Sequence, residues 1–359
     1  MPNVTVVGPT HGPLHFSSNY LAAIAQELAN QIDDGVANGS LVTQVPSGPS
    51  APPAPLGAMS ELVITQGGVV VLSPGDGAVV VNTTDLVLIG DGQTNQSVIS
   101  GSAGLTYLTM GGSGTVAAGG GMNHIVASGG PWYVGTGGGD DTLQATDGAA
   151  TLGAGAGNNT IILGSGIALV ATTGNDKIAG GSGNATVNVS AGGLATYTGA
   201  SGSLLFIDQG NGSTVMGGTG SETIFGSNGG SGLYVGGSDG NNIIQGAGTL
   251  IGGGAGDVLY ATGNAATLLQ AGSGNETLSA ALSSGNDLFQ FDKSTAAGAY
   301  TVSGFSGVDA LNLVGFAPGT GVTAALTATV AAGSTTFHLA DNVTITFAGV
   351  IDPKTIHIT

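Results

Sequence analysis

Aliphatic residues recur along this chain in short bursts, each closed by a polar turn that carries glycine. The early bursts are Leu62-Val63-Ile64-Thr65, Val69-Val70-Val71-Leu72, Val79-Val80-Val81-Asn82 and Leu86-Val87-Leu88-Ile89. They are rich in β-branched residues and separated by Gln66-Gly67-Gly68, Ser73-Pro74-Gly75-Asp76-Gly77 and Gly90-Asp91-Gly92, which predicts strands joined by tight turns. Between about residues 121 and 288 the bursts become one phrase: glycine, a polar pair, then an aliphatic residue. Gly139-Asp140-Asp141-Thr142-Leu143 returns as Gly157-Asn158-Asn159-Thr160-Ile161 and as Gly174-Asn175-Asp176-Lys177-Ile178, at spacings of 18 and 17 residues. It recurs at Gly220-Ser221-Glu222-Thr223-Ile224, Gly240-Asn241-Asn242-Ile243-Ile244, Gly256-Asp257-Val258-Leu259, Gly274-Asn275-Glu276-Thr277-Leu278 and Gly285-Asn286-Asp287-Leu288. A near-fixed period predicts a solenoid, because each coil buries its aliphatic face only against the next.

The flanks read differently. Residues 1–43 hold an extended arm with Val4, Val6 and Val7, then a helix over 17–34 capped by Ser17 or Ser18. Leu21, Ile24, Leu28 and Ile32 share one face of it, and Asp33-Asp34-Gly35 is expected to end it. One amphipathic helix cannot bury its own stripe, so it must cap the solenoid or dock on another subunit. Residues 44–57 hold five prolines and read as a linker. The solenoid is expected over 58–288. Residues 289–359, where aromatic residues gather, are expected to form a β-rich cap. The fold class is therefore all-β: a parallel β-solenoid or β-roll with a short N-terminal helix.

Composition narrows the partners. Twenty-one acids face three lysines and no arginine, a net charge of −18, which repels phosphate backbones and argues against nucleic acid. No apolar run is long enough to span a bilayer, so membrane insertion is not expected. There is no cysteine, and the N-terminus lacks the basic and apolar regions of a secretory leader. Glycine supplies 70 of 359 residues, and its regular use points to turns at fixed places.

Ala171–Ala179 (ATTGNDKIA) and Gly180–Asn188 (GGSGNATVN) are tandem nonapeptides, and Gly217–Phe225 (GGTGSETIF) and Thr136–Gln144 (TGGGDDTLQ) share their form. They resemble the repeats-in-toxin (RTX) calcium-binding β-roll, with consensus Gly-Gly-x-Gly-x-Asp-x-aliphatic-x. The resemblance implies Ca2+ held between coils by the sixth-position carboxylate and turn carbonyls. Carried over, the metal ligands are Asp141, Asn159, Asp176, Glu222, Asp257 and Glu276, with Asp141, Asn159 and Asp176 the best stack. Ala185 and Ala266 stand at the same place and offer no oxygen. The competing reading is that these side chains only hydrogen-bond the turns. The segments Asp287–Phe291, Gly304–Leu313 and Asp341–Phe347 resemble the tails that follow such rolls in serralysin-like proteases. That implies an uncleaved C-terminal signal for type 1 secretion, and an extracellular or cell-surface location in a Gram-negative bacterium.

No HExxH pair, GxSxG elbow or Walker lysine is present, so the chain reads as no enzyme. The expected function is a secreted structural protein that self-assembles, as a homo-oligomer or polymer, into a filament, surface layer or biofilm matrix. Val4, Val6, Val7, Leu21, Ile24, Leu28 and Ile32 are the expected assembly contacts. An adhesin or a glycan- or ice-binding module is the alternative, with an extracellular polysaccharide as partner and Trp132 and Tyr133 as stacking residues. A polysaccharide-cleaving β-helix enzyme ranks last.

Overall fold

A computed structural model describes residues 3–6, 13–16, 18–101 and 104–359, apart from the side chain of Asp341. The chain is mostly β, a parallel β-solenoid of about 15 turns, with two α-helices among the described residues. It divides into two compact units, Met1–Ala185 and Thr186–Thr359.

In the first unit each coil gives one strand to each of two parallel sheets. One sheet runs from Leu41–Gln44 through Met59–Ile64, Asp76–Val81, Asn95–Ser100, Ser113–Ala118, Trp132–Gly135 and Ala150–Ala154 to Ala168–Thr172. The other runs from Gly68–Val71 through Leu86–Ile89, Leu105–Leu108, His124–Ala127, Thr142–Ala145 and Thr160–Leu163 to Asn175–Ala179. Register follows the sequence period: Thr142 lies opposite Thr160, and Thr160 opposite Lys177, the one-residue deletion falling in the turn. The phrase's aliphatic residue points inward. Leu143, Ile161 and Ile178 form a buried column, each contributing about 1.5–3 kcal/mol by leaving water.

Glycine is needed where coils nearly touch. A β-carbon at Gly148 would sit 1.3 Å from the Gly129 carbonyl oxygen. Gly157 is constrained twice, by a φ of +128° and by a carbonyl 2.1 Å from where its β-carbon would be.

The expected linker is not free. Pro49–Ala51 lies along the strand Gly68–Val71, with Val71 N–H donating to the Pro49 carbonyl at 2.9 Å and Ala51 N–H to the Val71 carbonyl at 2.9 Å. The solenoid thus starts at Leu41, before the prolines rather than after them.

Helix α1 spans Asn19–Ala37 and is capped by Ser18, whose Oγ accepts the Leu21 N–H at 3.1 Å. It does not end at Asp33-Asp34-Gly35. Gly39, at φ +78°, takes the left-handed position that closes it. Gly35 instead makes room for Leu41, whose Cδ1 would be 2.6 Å from an added β-carbon. The arm folds on itself, Asn3–Thr5 pairing antiparallel with Pro13–His15.

The residues expected to meet another subunit are therefore used within the chain. Val4, Val6, Leu21, Leu28 and Ile32 pack with Phe16 on Ala78, Val80, Ile99 and Ala117, the outer side of the first sheet, and Ile24 lies partly buried beside them. The physical reason is local: that sheet carries an outward apolar row of the right width for one helix. Val7 and Ser17 lie outside the described residues.

The second unit repeats the architecture. One sheet passes through Leu204–Asp208, Glu222–Phe225, Ile243–Gly246, Val258–Gly263, Thr277–Ser283 and Ala299–Ser303 to Thr344–Ala348. The other passes through Leu194–Thr198, Thr214–Met216, Gly232–Val235, Gly248–Ile251, Leu268–Gln270, Leu288–Asp292 and Ala310–Val314 to His357–Ile358. Ile224, Ile244, Leu259 and Leu278 form its buried column. The coils continue past residue 288, so much of the expected cap is solenoid. The closing piece is helix α2 (Thr320–Leu326) with an antiparallel group, Thr329–Ala331, Ser334–His338 and Thr344–Ala348. Phe305 plugs it, 5.5 Å from Phe289 and 5.3 Å from Phe347 between ring centres.

Candidate functional site

The phrase's second polar residue sits just before a strand, where the chain turns inward. Its side chain is buried and meets its counterparts on adjacent coils. In the first unit this column is Asn123, Asp141, Asn159 and Asp176. The Asn123 amide oxygen accepts the Leu105 N–H at 3.0 Å, and its Nδ2 donates to Asp141 Oδ1 at 2.9 Å. Asp141 Oδ1 also accepts the Asn123 N–H at 2.8 Å. Asn159 then repeats the role: its Oδ1 accepts the Asp141 N–H at 2.9 Å, and its Nδ2 donates to Asp176 Oδ1 at 2.7 Å. The alternation has a reason. An amide both accepts and donates, so it can sit between two carboxyl groups that would otherwise face each other.

The sequence-derived candidates Asp141, Asn159 and Asp176 are thus brought together, but Asn159 is foremost a bridging donor. Asn123 belongs to the same column. Its signal was present as Gly121-Met122-Asn123-His124-Ile125, a copy whose histidine obscured it.

The second unit carries a column on each sheet. Before one sheet lie Glu222, Asn242, Asp257 and Glu276. The Glu222 N–H donates to Asn242 Oδ1 at 2.8 Å, and Asn242 Nδ2 to Asp257 Oδ1 at 2.9 Å. Glu222, longer by one methylene, reaches the N–H groups of Gly218 at 3.0 Å and Gly237 at 2.8 Å. Glu276 Oε2 accepts the Gly272 N–H at 2.9 Å. Before the other sheet, Asp287 Oδ1 accepts the Thr267 N–H at 2.9 Å, and Asp309 Oδ1 the Asp287 N–H at 2.9 Å. Asp309 follows the same glycine phrase, Gly307-Val308-Asp309-Ala310-Leu311, and was missed because it lies beyond the clear repeats.

Four of these carboxyl groups have an oxygen left over. Asp141 Oδ2, Asp176 Oδ2, Glu276 Oε1 and Asp287 Oδ2 are buried without a hydrogen-bond partner. Burial raises the pKa of Asp141, Asp176, Glu222 and Asp287 above the usual carboxylate range. It pushes Glu276 up to about 8, with the Asp257 charge adding to the effect. At about 8, Glu276 holds a proton near neutrality unless a cation replaces it. The donors are hard oxygens of the kind Ca2+ takes, and their unpaired atoms fit such an ion. No three acidic or histidine side chains converge on one point among the described residues, so main-chain oxygens would complete any such shell.

Other candidates fall elsewhere. Trp132 is buried, its indole N–H bound to the Ser128 carbonyl at 2.9 Å and its ring edge-on to Tyr107 at 5.9 Å, so it offers no sugar platform. The threonines do not form one file: Thr142 and Thr160 run into Lys177 in the first unit, and Thr223 is followed by Ile243, Val258 and Thr277 in the second. No helix among the described residues is long and apolar enough to cross a membrane.

No protein-family model and no curated protein sequence matches the chain. Among solved structures it is similar to the extracellular lipase LipA from Serratia marcescens, at 14% identity and a TM-score of 0.19. The match covers 74% of this chain and 45% of that lipase, so this chain spans less than half of the lipase's length. At this level the likeness decides nothing about the chemistry of this chain. It does correct the reading of the chain as no enzyme: a matched structure is itself a lipase, so the fold is no ground for excluding catalysis, and fold alone does not establish it.

Proposed function

We propose that the chain is a secreted, RTX-like solenoid that serves as an extracellular scaffold, taking Ca2+ along its carboxyl columns. In this reading it assembles with copies of itself into a filament, surface layer or biofilm matrix. The observation that carries it is the recurrence of a buried, unpaired carboxyl oxygen, found on each of Asp141, Asp176, Glu276 and Asp287. A cation between coils would neutralise these groups and bind coil to coil, coupling folding to an environment rich in calcium. Export by a C-terminal signal, implied by the tail's resemblance to serralysin-like proteases, suits a chain that folds when it meets that ion. The ends of each unit bear on how copies meet. Helix α1 and the prolines guard the first coils, and an antiparallel hairpin closes the last, which blunts edge-to-edge addition. Lateral contact between sheets remains. The test is a melting curve with chelator, with millimolar Ca2+ and with Mg2+ as control. A rise specific to Ca2+ supports the ion reading, and identical curves refute it.

A second reading has its own support. A cleft of about 400 Å3 opens between α1 and the first sheet, lined by Tyr20, Glu27, Gln31, Asn95, Thr115 and Tyr133. The two tyrosine hydroxyls meet at 2.8 Å. Aromatic rings beside amides, a hydroxyl and a carboxylate suit a saccharide. A glycan array, with Tyr20→Ala as control, separates this adhesin-like role from a pure scaffold.

A further inference from the structure

The two sheets of the first unit are treated differently. The outward row Val80, Ile99 and Ala117, with Ala78 beside it, is covered by α1 and the arm. The other sheet has outward apolar positions as well, and they are open or half-open to solvent. Register aligns Val71, Ile89, Leu108 and Val126 in one row, continued by Gln144, Ile162 and Ala179. The adjacent row is Val69, Val87, Thr106, His124, Thr142, Thr160 and Lys177. Val69, Val71 and Ile162 are 47%, 39% and 38% exposed.

We infer that this face is where a second copy of the chain docks, sheet against sheet, which rests on the self-assembly reading above. Three observations select that occupant. The first is charge. Neither row holds an Asp or Glu, although the chain has 21 of them and a net charge of −18. Two such chains repel each other wherever their turns meet, so close approach is favoured where acids are missing. Lys177, one of only three lysines, is the sole fixed charge on the rows, and it faces a partner that is acidic overall. The second is shape. Short parallel strands in register make a flat surface, and flat apolar sheets stack about 10 Å apart with their side chains interleaved. An isologous pair needs a self-complementary patch, which the first row, aliphatic from Val71 to Ile162 apart from Gln144, provides.

The third is area. Seven strands about 4.8 Å apart, each about 13 Å wide, give a footprint of about 400 Å2, roughly half of what each partner contributes to a standard stable interface. The association should therefore be reversible and concentration-dependent, not obligate.

Sedimentation velocity of the full chain, across about a hundredfold range of concentration, tests this. Wild type should shift from monomer toward dimer as concentration rises. Leu108→Lys and Ile89→Lys should stay monomeric throughout, with circular dichroism and melting unchanged. Should either lysine variant melt early, Leu108→Thr, which puts an uncharged β-branched strand former there, takes its place and should weaken association by at least about tenfold. Association that persists in the folded variants overturns this face but leaves self-assembly standing. A wild type that is monomeric at every concentration overturns both.

Discussion

Glu276 gives the account a quantitative handle. It is 4% exposed, its Oε2 accepts the Gly272 N–H at 2.9 Å, and its Oε1 is buried without a partner. Burial, helped by the Asp257 charge, lifts its pKa from 4.5 to about 8. The folded value exceeds the unfolded one, so its contribution is complete below pH 4.5 and is lost as pH rises through about 8. At 1.36 kcal/mol per unit, going from pH 4.5 to 7 withdraws about 3 kcal/mol from the native state. Glu276→Gln removes the titration while keeping an acceptor for Gly272. Denaturant unfolding at several pH values, with chelator present, should show the wild type weakening toward pH 8. The variant should weaken less, by about 3 kcal/mol, or about 6–12 °C in Tm for a unit of this size. Asp141, Asp176, Glu222 and Asp287 shift in the same direction, so the variant's slope should shrink and not vanish. Parallel curves for the two proteins would falsify the buried, protonated assignment of Glu276.

Further outcomes test the other parts. Asn159→Ala leaves the Asp141 N–H and the Gly155 carbonyl without the partner they have now, and should cost about 2–4 kcal/mol in unfolding titrations. Asn159→Asp places a third carboxyl between Asp141 and Asp176; it should melt earlier in chelator and recover with Ca2+ if the columns take that ion. Ile161→Ala opens the aliphatic column and should cost about 2–5 kcal/mol by the same assay. Gly148→Ala forces a β-carbon to 1.3 Å from the Gly129 carbonyl oxygen and should prevent native stacking, seen as lost β signal in circular dichroism. Gly307→Ala, with nothing within 4 Å, should be silent.

The glycine phrase made the solenoid legible because its period is the coil itself, and it placed Leu143, Ile161 and Ile178 in one column before any coordinates. It could not say which sheet a copy serves. A nonapeptide is half a coil, so Glu276 and Asp287 look alike in sequence yet open strands of different sheets. Asn159 reads in the sequence as one more ligand, because it stands where the resembling repeats carry aspartate. Its double hydrogen-bonding role depends on neighbours 17 and 18 residues away. The stripe of α1 was clear, but its target was not, because Ala78, Val80, Ile99 and Ala117 are spread over three strands. Beyond Leu288 the period lengthens from 20 to 22 residues, and coils that continued looked like a separate cap.

Parallel, in-register coiling underlies every statement above, and the absence of cysteine allows a direct test. Thr142 and Thr160 lie opposite each other on neighbouring strands, near enough for a disulfide, which needs α-carbons about 4.4–6.8 Å apart. Thr142→Cys with Thr160→Cys should oxidise readily into an intramolecular bond and leave the fold intact. The same cysteine at 142 paired with Ile161→Cys, whose side chain points inward, should stay reduced. Bonding in the second pair and not the first would contradict the register.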